Sequence, residues 1–315
     1  MDTLSDLLRI VRLDGAFFYP VEGAPPWSVE ALPSRELMPR VLPGSEHLIP
    51  YHFLTEGSCW ASTMDGDAVE MVPGDVVLFP HGDAHVMSSG PGVRVPNDLI
   101  DVAPGRYPVT QYMGPDGPRG TRFVCGFLGI DLRPFNPLLA ALPRRMHMRG
   151  VSHGGFGEFA RQLALESSTG VPGAESVLTR LAELMFISVV RRYLDDLPPG
   201  QTGWLAGLRD EVVGRVLGLI HARPAHPWTL VDLAKEGATS RSALAKRFTD
   251  LVGQPPMQYL TQWRMQVAAS HLTQGNAKVA TIASEVGYES EAAFSRAFKK
   301  ATGMAPGAWR ESRRA

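Results

Sequence analysis

Hydrophobic positions change their period along the chain. Between residues 51 and 128 the apolar residues fall in short runs, at 51–54, 69–72, 76–79 and 123–128, separated by Gly- and Pro-containing turn signals. That spacing predicts the short strands of an all-β sandwich or barrel. Asp65-Gly66-Asp67 lies between two runs and predicts a hairpin turn. Residues 91–120 are rich in proline and have no clear period, so no element is assigned there. Past Pro143 the period becomes helical. Phe156, Phe159, Ala160, Leu163 and Ala164 form one apolar face, and Val177, Leu178, Leu181, Leu184, Met185 and Val189 form another. These predict two amphipathic helices joined around 170–173. The breaker-rich stretch 198–203 reads as a linker, and Leu205, Leu208, Val212, Val216, Leu219 and Ile220 then predict a helix ending before Pro224.

The C-terminal pattern repeats. Gly237, Ser240, Leu244, Lys246, Phe248, Gly253, Pro256 and Tyr259 recur, fifty places on, as Gly287, Ser290, Phe294, Arg296, Phe298, Gly303, Pro306 and Trp309. In each copy a short helical face is followed by a glycine break, a serine in N-cap position, a second helical face and a closing glycine. Two short helices joined by such a turn make a helix-turn-helix, whose second helix enters the DNA major groove. The residues between the copies, 256–273, predict one helix about 27 Å long at ~1.5 Å per residue. With the breadth of the two units added, the second helices can reach successive major-groove segments about 34 Å apart.

Charge sharpens this picture. The formal net charge is −1, yet from Leu205 onward there are 15 Lys and Arg against 9 Asp and Glu, whereas the first 204 residues hold 16 against 23. A basic end on an acidic remainder points to a polyanion partner for the C-terminal part alone. No apolar run reaches the ~20 residues of a membrane span, and the N-terminus has Asp2 and Asp6 where a secretory signal has basic residues. The expectation is a cytoplasmic protein without a membrane partner. Cys59 and Cys125 provide no disulfide framework and no CxxC motif, which fits a reducing compartment.

Specific motifs carry a resemblance. The run from Trp228 to Arg310 contains Ser240-Arg241-Ser242-x-Leu244-x-x-x-Phe248, Gly253-x-Pro255-Pro256-x-x-Tyr259-Leu260, Trp263-Arg264, Val286-Gly287-Tyr288-Glu289-Ser290-Glu291-x-x-Phe294-Ser295-Arg296-Ala297-Phe298 and Gly303-x-x-Pro306. It resembles the DNA-binding domain of the AraC/XylS transcription regulators. His52-x-x-x-x-Gly57 and the segment Gly74 to His85, ending in Pro80-His81-Gly82-Asp83-Ala84-His85, are similar to the cupin-type sensor domain of one branch of that family. The resemblance implies an α+β chain: a cupin-like β-barrel over 1–150, a helical hairpin over 151–198 that forms a dimer seam, a linker over 199–204 and a double helix-turn-helix domain over 205–315. It also implies a homodimeric activator that answers to a small-molecule effector and contacts RNA polymerase.

The helical period assigns residues to faces. With Leu244, Phe248 and Leu251 turned inward, Ser242, Ala245, Lys246 and Thr249 fall outside; in the second copy Glu291, Ala292, Ser295, Arg296 and Lys299 do so. The resemblance places base contacts on Ser242, Ala245, Lys246, Glu291, Ala292 and Arg296. Arg296 suits guanine bidentately, Lys246 guanine or phosphate, and Glu291 cytosine. Arg241, Arg247, Lys299 and Lys300 are expected phosphate contacts. In the N-terminal part, His47, His52, His81, His85 and Cys125 are candidate metal ligands, of types that suit zinc. The His-x-His and Glu of the first cupin motif are missing, so a metal-dependent cupin enzyme or metal sensor fused to a DNA-binding domain is the alternative reading and a non-enzymatic regulator the main one. Cys59 and Cys125 are the candidate redox sites.

Overall fold

The computed structural model describes residues 2–11, 13–95, 110–132, 134–149, 162, 166 and 172–313. Its strands are β1 (Leu13–Gly23), β2 (Ser28–Ala31), β3 (His47–Glu56), β4 (Cys59–Thr63), β5 (Val69–Met71), β6 (Val76–Leu78), β7 (His85–Ser88), β8 (Gln111–Met113), β9 (Thr121–Ile130) and β10 (Met146–Met148). Its helices are α1 (Thr3–Ile10), α2 (Ser34–Val41), α3 (Pro137–Ala141), α4 (Ala174–Asp195), α5 (Trp204–Arg209), α6 (Glu211–Ala222), α7 (Leu230–Glu236), α8 (Arg241–Val252), α9 (Pro256–Gln274), α10 (Val279–Glu285), α11 (Glu291–Thr302) and α12 (Pro306–Ser312). The first predicted hairpin helix, over 156–164, falls outside the described residues apart from Gln162. No described helix is long and apolar enough to cross a membrane. The chain forms two compact units, one from 13–130 and 142–193, the other from 1–12, 131–141 and 194–315.

In the sheet unit every predicted strand run is extended. The cupin-like fold takes the form of two sheets, in the orders β10-β6-β3-β9-β1-β8 and β2-β7-β4-β5. β4 and β5 pair antiparallel across the turn at 64–68, as the Asp-Gly-Asp signal predicts. Trp27, Leu48, Leu54, Ala61, Met71, Val77, Phe79 and Phe123 fill a common core. Two interior strands, β3 and β9, pair with His52 opposite Cys125. Directly opposed residues of an antiparallel pair share a face, so the register sets these two side chains together.

The helical unit contains both helix-turn-helix copies. Ser240 and Ser290 cap α8 and α11 by accepting from the backbone N–H of Ala243 and Ala293, and Gly253 and Gly303 close them in the left-handed region at φ 84° and 79°. Two sequence expectations change. The helix expected from Leu205 breaks at Asp210, whose carboxylate accepts from Val212 and Val213 N–H and starts α6 as its own N-cap. The equivalence of Gly237 with Gly287 also fails: the left-handed turn residues are Ala238, at φ 51°, and Gly287, at φ 82°. The turn of the second copy is therefore one residue longer before its serine cap. Of these two turn positions the second needs glycine, since a Cβ on Gly287 would lie 2.6 Å from the Ala225 carbonyl oxygen.

Two segments remote in sequence from the repeats complete this unit. α1 packs on α6 and α9. Phe135 N–H donates to Gln266 Oε1 at 2.9 Å, and its ring meets Tyr259 edge-on at 5.3 Å. Trp204, at the end of the expected linker, is buried and opens α5. Its indole N–H donates to the Tyr259 hydroxyl, which also shares a hydrogen bond with His221 Nε2, both at 2.7 Å. Tyr259→Phe removes the shared hydroxyl and leaves two buried polar atoms unpaired. The expected cost is about 1–3 kcal/mol, read as a lower urea midpoint at unchanged slope.

Candidate nucleic-acid interface and interior pocket

α8 buries Leu244 and Phe248, and α11 buries Phe294 and Phe298, so each turns its polar face away from the core. On α8, Arg241, Ser242, Lys246 and Arg247 are exposed, with Ala245 and Thr249 half-buried. On α11, Glu291, Ala292, Arg296, Lys299 and Lys300 are exposed, with Ser295 half-buried. Some of these groups already have partners. Lys246 Nζ donates to Asp250 Oδ2 at 2.6 Å, Arg247 clasps Asp210 Oδ2 through Nε and Nη2 at 2.9 and 2.7 Å, and the Thr249 hydroxyl donates back to the Ala245 carbonyl. Arg247 thus braces α8 against the start of α6. Behind the helices, Arg264 of α9 donates to the carbonyls of Pro224 and His226 and holds the chain between α6 and α7.

The sheet unit contains a pocket of about 710 Å³, its open mouth included. Val29, Leu37, Met87, Met113, Phe123 and Phe127 supply apolar lining, Glu30 and Arg40 stand exposed, and His52, Cys125 and Tyr19 contribute polar atoms. Of the candidate metal ligands, the fold brings His52, His85 and Cys125 together. His52 Nδ1 lies 2.8 Å from Cys125 Sγ, His52 Nε2 lies 2.7 Å from His85 Nε2, and His85 Nδ1 lies 2.9 Å from the Asp83 carbonyl oxygen. His47 and His81 instead donate to the carbonyls of Pro80 and Leu142.

The carbonyl end decides every proton in this chain. A carbonyl only accepts, so His85 Nδ1 carries the hydrogen and, with the ring neutral, Nε2 accepts. His52 must then donate from Nε2 and accept at Nδ1, which Cys125 S–H fills. Neutrality has a physical cause: burial pushes His85 down to about 4, against the opposing pull of Asp83, and burial with His85 alongside holds His52 well below its usual range. Burial likewise pushes the Cys125 thiol well up and Cys59 up to about 12. Both cysteines are buried thiols, the less nucleophilic form. A single metal ion does not fit this arrangement, because His52 spends its two nitrogens on different neighbours. Among the described residues no cluster of three or more His, Cys, Asp or Glu side chains is arranged to hold a metal ion. The chain Cys125–His52–His85–Asp83 escaped sequence reading, although strand alternation around His52 and Cys125 was its available signal.

Known proteins agree with both units. A Cupin family model matches residues 2–195 and a Helix-turn-helix domain model matches 233–312. The chain is 32% identical over 315 residues to a putative AraC-like transcription regulator of Streptomyces lividans, covering 99% of this chain and 98% of that protein. It is 29% identical over 327 residues to the HTH-type transcriptional regulator AlkR of Acinetobacter baylyi, covering 99% of both. Among solved structures it is similar to ToxT of Vibrio cholerae O395, with a TM-score of 0.36 and 12% identity over 96% of this chain and 98% of that one. With a cupin part preceding a double helix-turn-helix and full-length likeness to such regulators, the chain belongs to the AraC-like, DNA-binding transcription regulators.

Proposed function

We propose that α8 and α11 read two successive major-groove segments of one operator, and that the sheet unit makes this binding responsive to a small molecule. The observation that carries the reading is the pair of capped helices, each with its aromatic or leucine face buried and its polar face exposed. Arg296 reads a guanine, Glu291 accepts from a cytosine, and Ser242, Ala245, Lys246 and Ala292 make the remaining base contacts. Arg241, Arg247, Thr249, Ser295 and Lys299 position the protein on the backbone. Arg247 does so from its brace on Asp210, and Lys246 must exchange Asp250 for DNA.

The response runs through continuous chain. β9 contributes Phe123, Cys125 and Phe127 to the pocket, and the residues that follow it, 131–141, belong to the helical unit. α4 leaves Val177 and Leu184 exposed, which supports a homodimer seam along that helix. The family reading adds activation through RNA polymerase in the cytoplasm, with no catalytic step. Arg296→Ala is expected to weaken specific binding by about 1–3 kcal/mol and to relax preference at one base pair. Lys299→Ala is expected to weaken all sequences alike and to lower the salt slope by about one. Selection of bound sites from a random library, followed by salt titration, measures both; an unchanged site preference in Arg296→Ala removes that contact from the interface.

A further inference from the structure

We propose that the pocket of the sheet unit takes a small, uncharged, hydrocarbon-like molecule, aromatic or alkyl; this rests on reading that unit as the ligand-responsive part. The polar atoms along the pocket are saturated before any ligand arrives. Cys125 donates to His52, His52 to His85, and His85 to the Asp83 carbonyl, while the Tyr19 hydroxyl is engaged with Cys125. A sugar or another polyhydroxy ligand would give up its water bonds and find none of these donors free to replace them. Burying polar groups unpaired is unfavourable.

Charge is disfavoured on the same grounds. The imidazoles are neutral, so an anion in the pocket's interior meets no compensating cation; the guanidinium that lines the pocket, Arg40, is on its exposed part. Glu30 lies 3.7 Å from Arg94, and Arg40 has interactions of its own on the protein. An apolar molecule, by contrast, gains from every contact with Val29, Leu37, Met87, Met113, Phe123 and Phe127. The two methionines adapt to ligand shape, and their sulfurs favour ring edges.

Calorimetric titration of the full chain with toluene, n-octane, sodium benzoate and glucose tests the assignment. Saturable binding of toluene or n-octane with a negative heat-capacity change, and none of benzoate or glucose, is the expected result. At saturation the bound probe is expected to raise the Tm of the sheet unit by about 2–4 °C. Val29→Phe places a ring in the pocket and is expected to abolish binding; Ala31→Phe, at the end of the same strand, provides a second block if the first variant misfolds. Benzoate or glucose binding that Val29→Phe removes, without hydrocarbon binding, overturns the ligand class but leaves the sensing role standing. Hydrocarbon binding that neither block affects places the molecule elsewhere and overturns the site. Binding as expected, with operator affinity unchanged in the presence of probe, upholds the ligand class and sinks the regulatory reading. If no probe binds, both fall.

Discussion

Gly126→Val is expected to destabilise the sheet unit by about 3 kcal/mol or more and to send much of the protein into the insoluble fraction. Gly126 sits in β9, between β3 and β1, directly opposite Tyr51 of β3 and Phe18 of β1. The Tyr51 ring lies across the glycine, so that a Cβ there would stand 2.2 Å from Cζ and 2.6 Å from Cε1. No rotamer adjustment of a fully buried tyrosine in a strand relieves an overlap of that size. Valine is otherwise favoured in strands, so propensity alone would forecast stabilisation, and steric exclusion wins. The cause can be isolated by a double-mutant cycle in urea. Tyr51→Ala is expected to be costly alone yet to recover part of the Gly126→Val loss, because the overlap disappears with the ring. Tyr51→Phe is expected to be near neutral or stabilising, since the hydroxyl is buried with no hydrogen-bond partner among the described residues. Additive losses in the cycle would show that the ring over Gly126 is not the source of the defect.

How far such features can be read from sequence depends on the range of the forces behind them. Ser240, Ser290, Gly253 and Gly303 act through neighbouring backbone groups, so their positions relative to the apolar faces announce α8 and α11 directly. Short apolar runs bounded by turns announce the strands for the same reason. Asp210 is harder: its capping competes with an unbroken helical period from Leu205 to Ile220, and periodicity alone favours the longer helix. Ala238 is harder still, because a non-glycine residue in the left-handed region carries no compositional signal. Sequence places Gly237 opposite Gly287, whereas the conformations place Ala238 there.

Tertiary facts lie further out of reach. His52, His85 and Cys125 are individually conspicuous as metal-ligand types, but their joint geometry depends on the pairing of β3 with β9 and on where β7 begins. That geometry turns a set of candidate ligands into a closed series of hydrogen bonds. Likewise no short-range pattern in 131–141 announces the unit it joins; tertiary contacts, among them the bond from Phe135 to Gln266 and the ring contact with Tyr259, assign it to the helical unit. The exposed residues of α8 and α11 remain the most legible part of the proposed interface, since exposure on a capped helix follows from the period itself.

Acidification is expected to weaken both units well before their carboxylates are protonated. His52 and His85 in the sheet unit are held neutral below the ordinary histidine value, and burial pushes His221 in the helical unit down to about 3. In the unfolded chain each returns to about 6.5. Between that value and the folded one, the unfolded state binds the extra proton, so stability falls as pH drops from 6.5 and rises again as pH is restored. Each such group contributes a slope of about 1.4 kcal/mol per pH unit. For the helical unit the loss runs from about pH 6.5 toward 3, with one proton taken up. For the sheet unit it begins at the same pH with His52 and His85, joined by His47, which burial also lowers, and it flattens near 4 as His85 protonates in place. Protonated His85 has a hydrogen on Nε2 that faces the one on His52, so the series Cys125–His52–His85 cannot survive that step unchanged. Native-state hydrogen exchange, following β9 amides for one unit and α9 amides for the other, separates the two slopes between pH 6 and 5. His221→Gln retains a side-chain acceptor for Tyr259 but does not titrate; it is expected to flatten the α9 slope and leave that of β9 alone. Equal slopes in wild type and His221→Gln would mean that the proton taken up on unfolding comes from elsewhere in the helical unit.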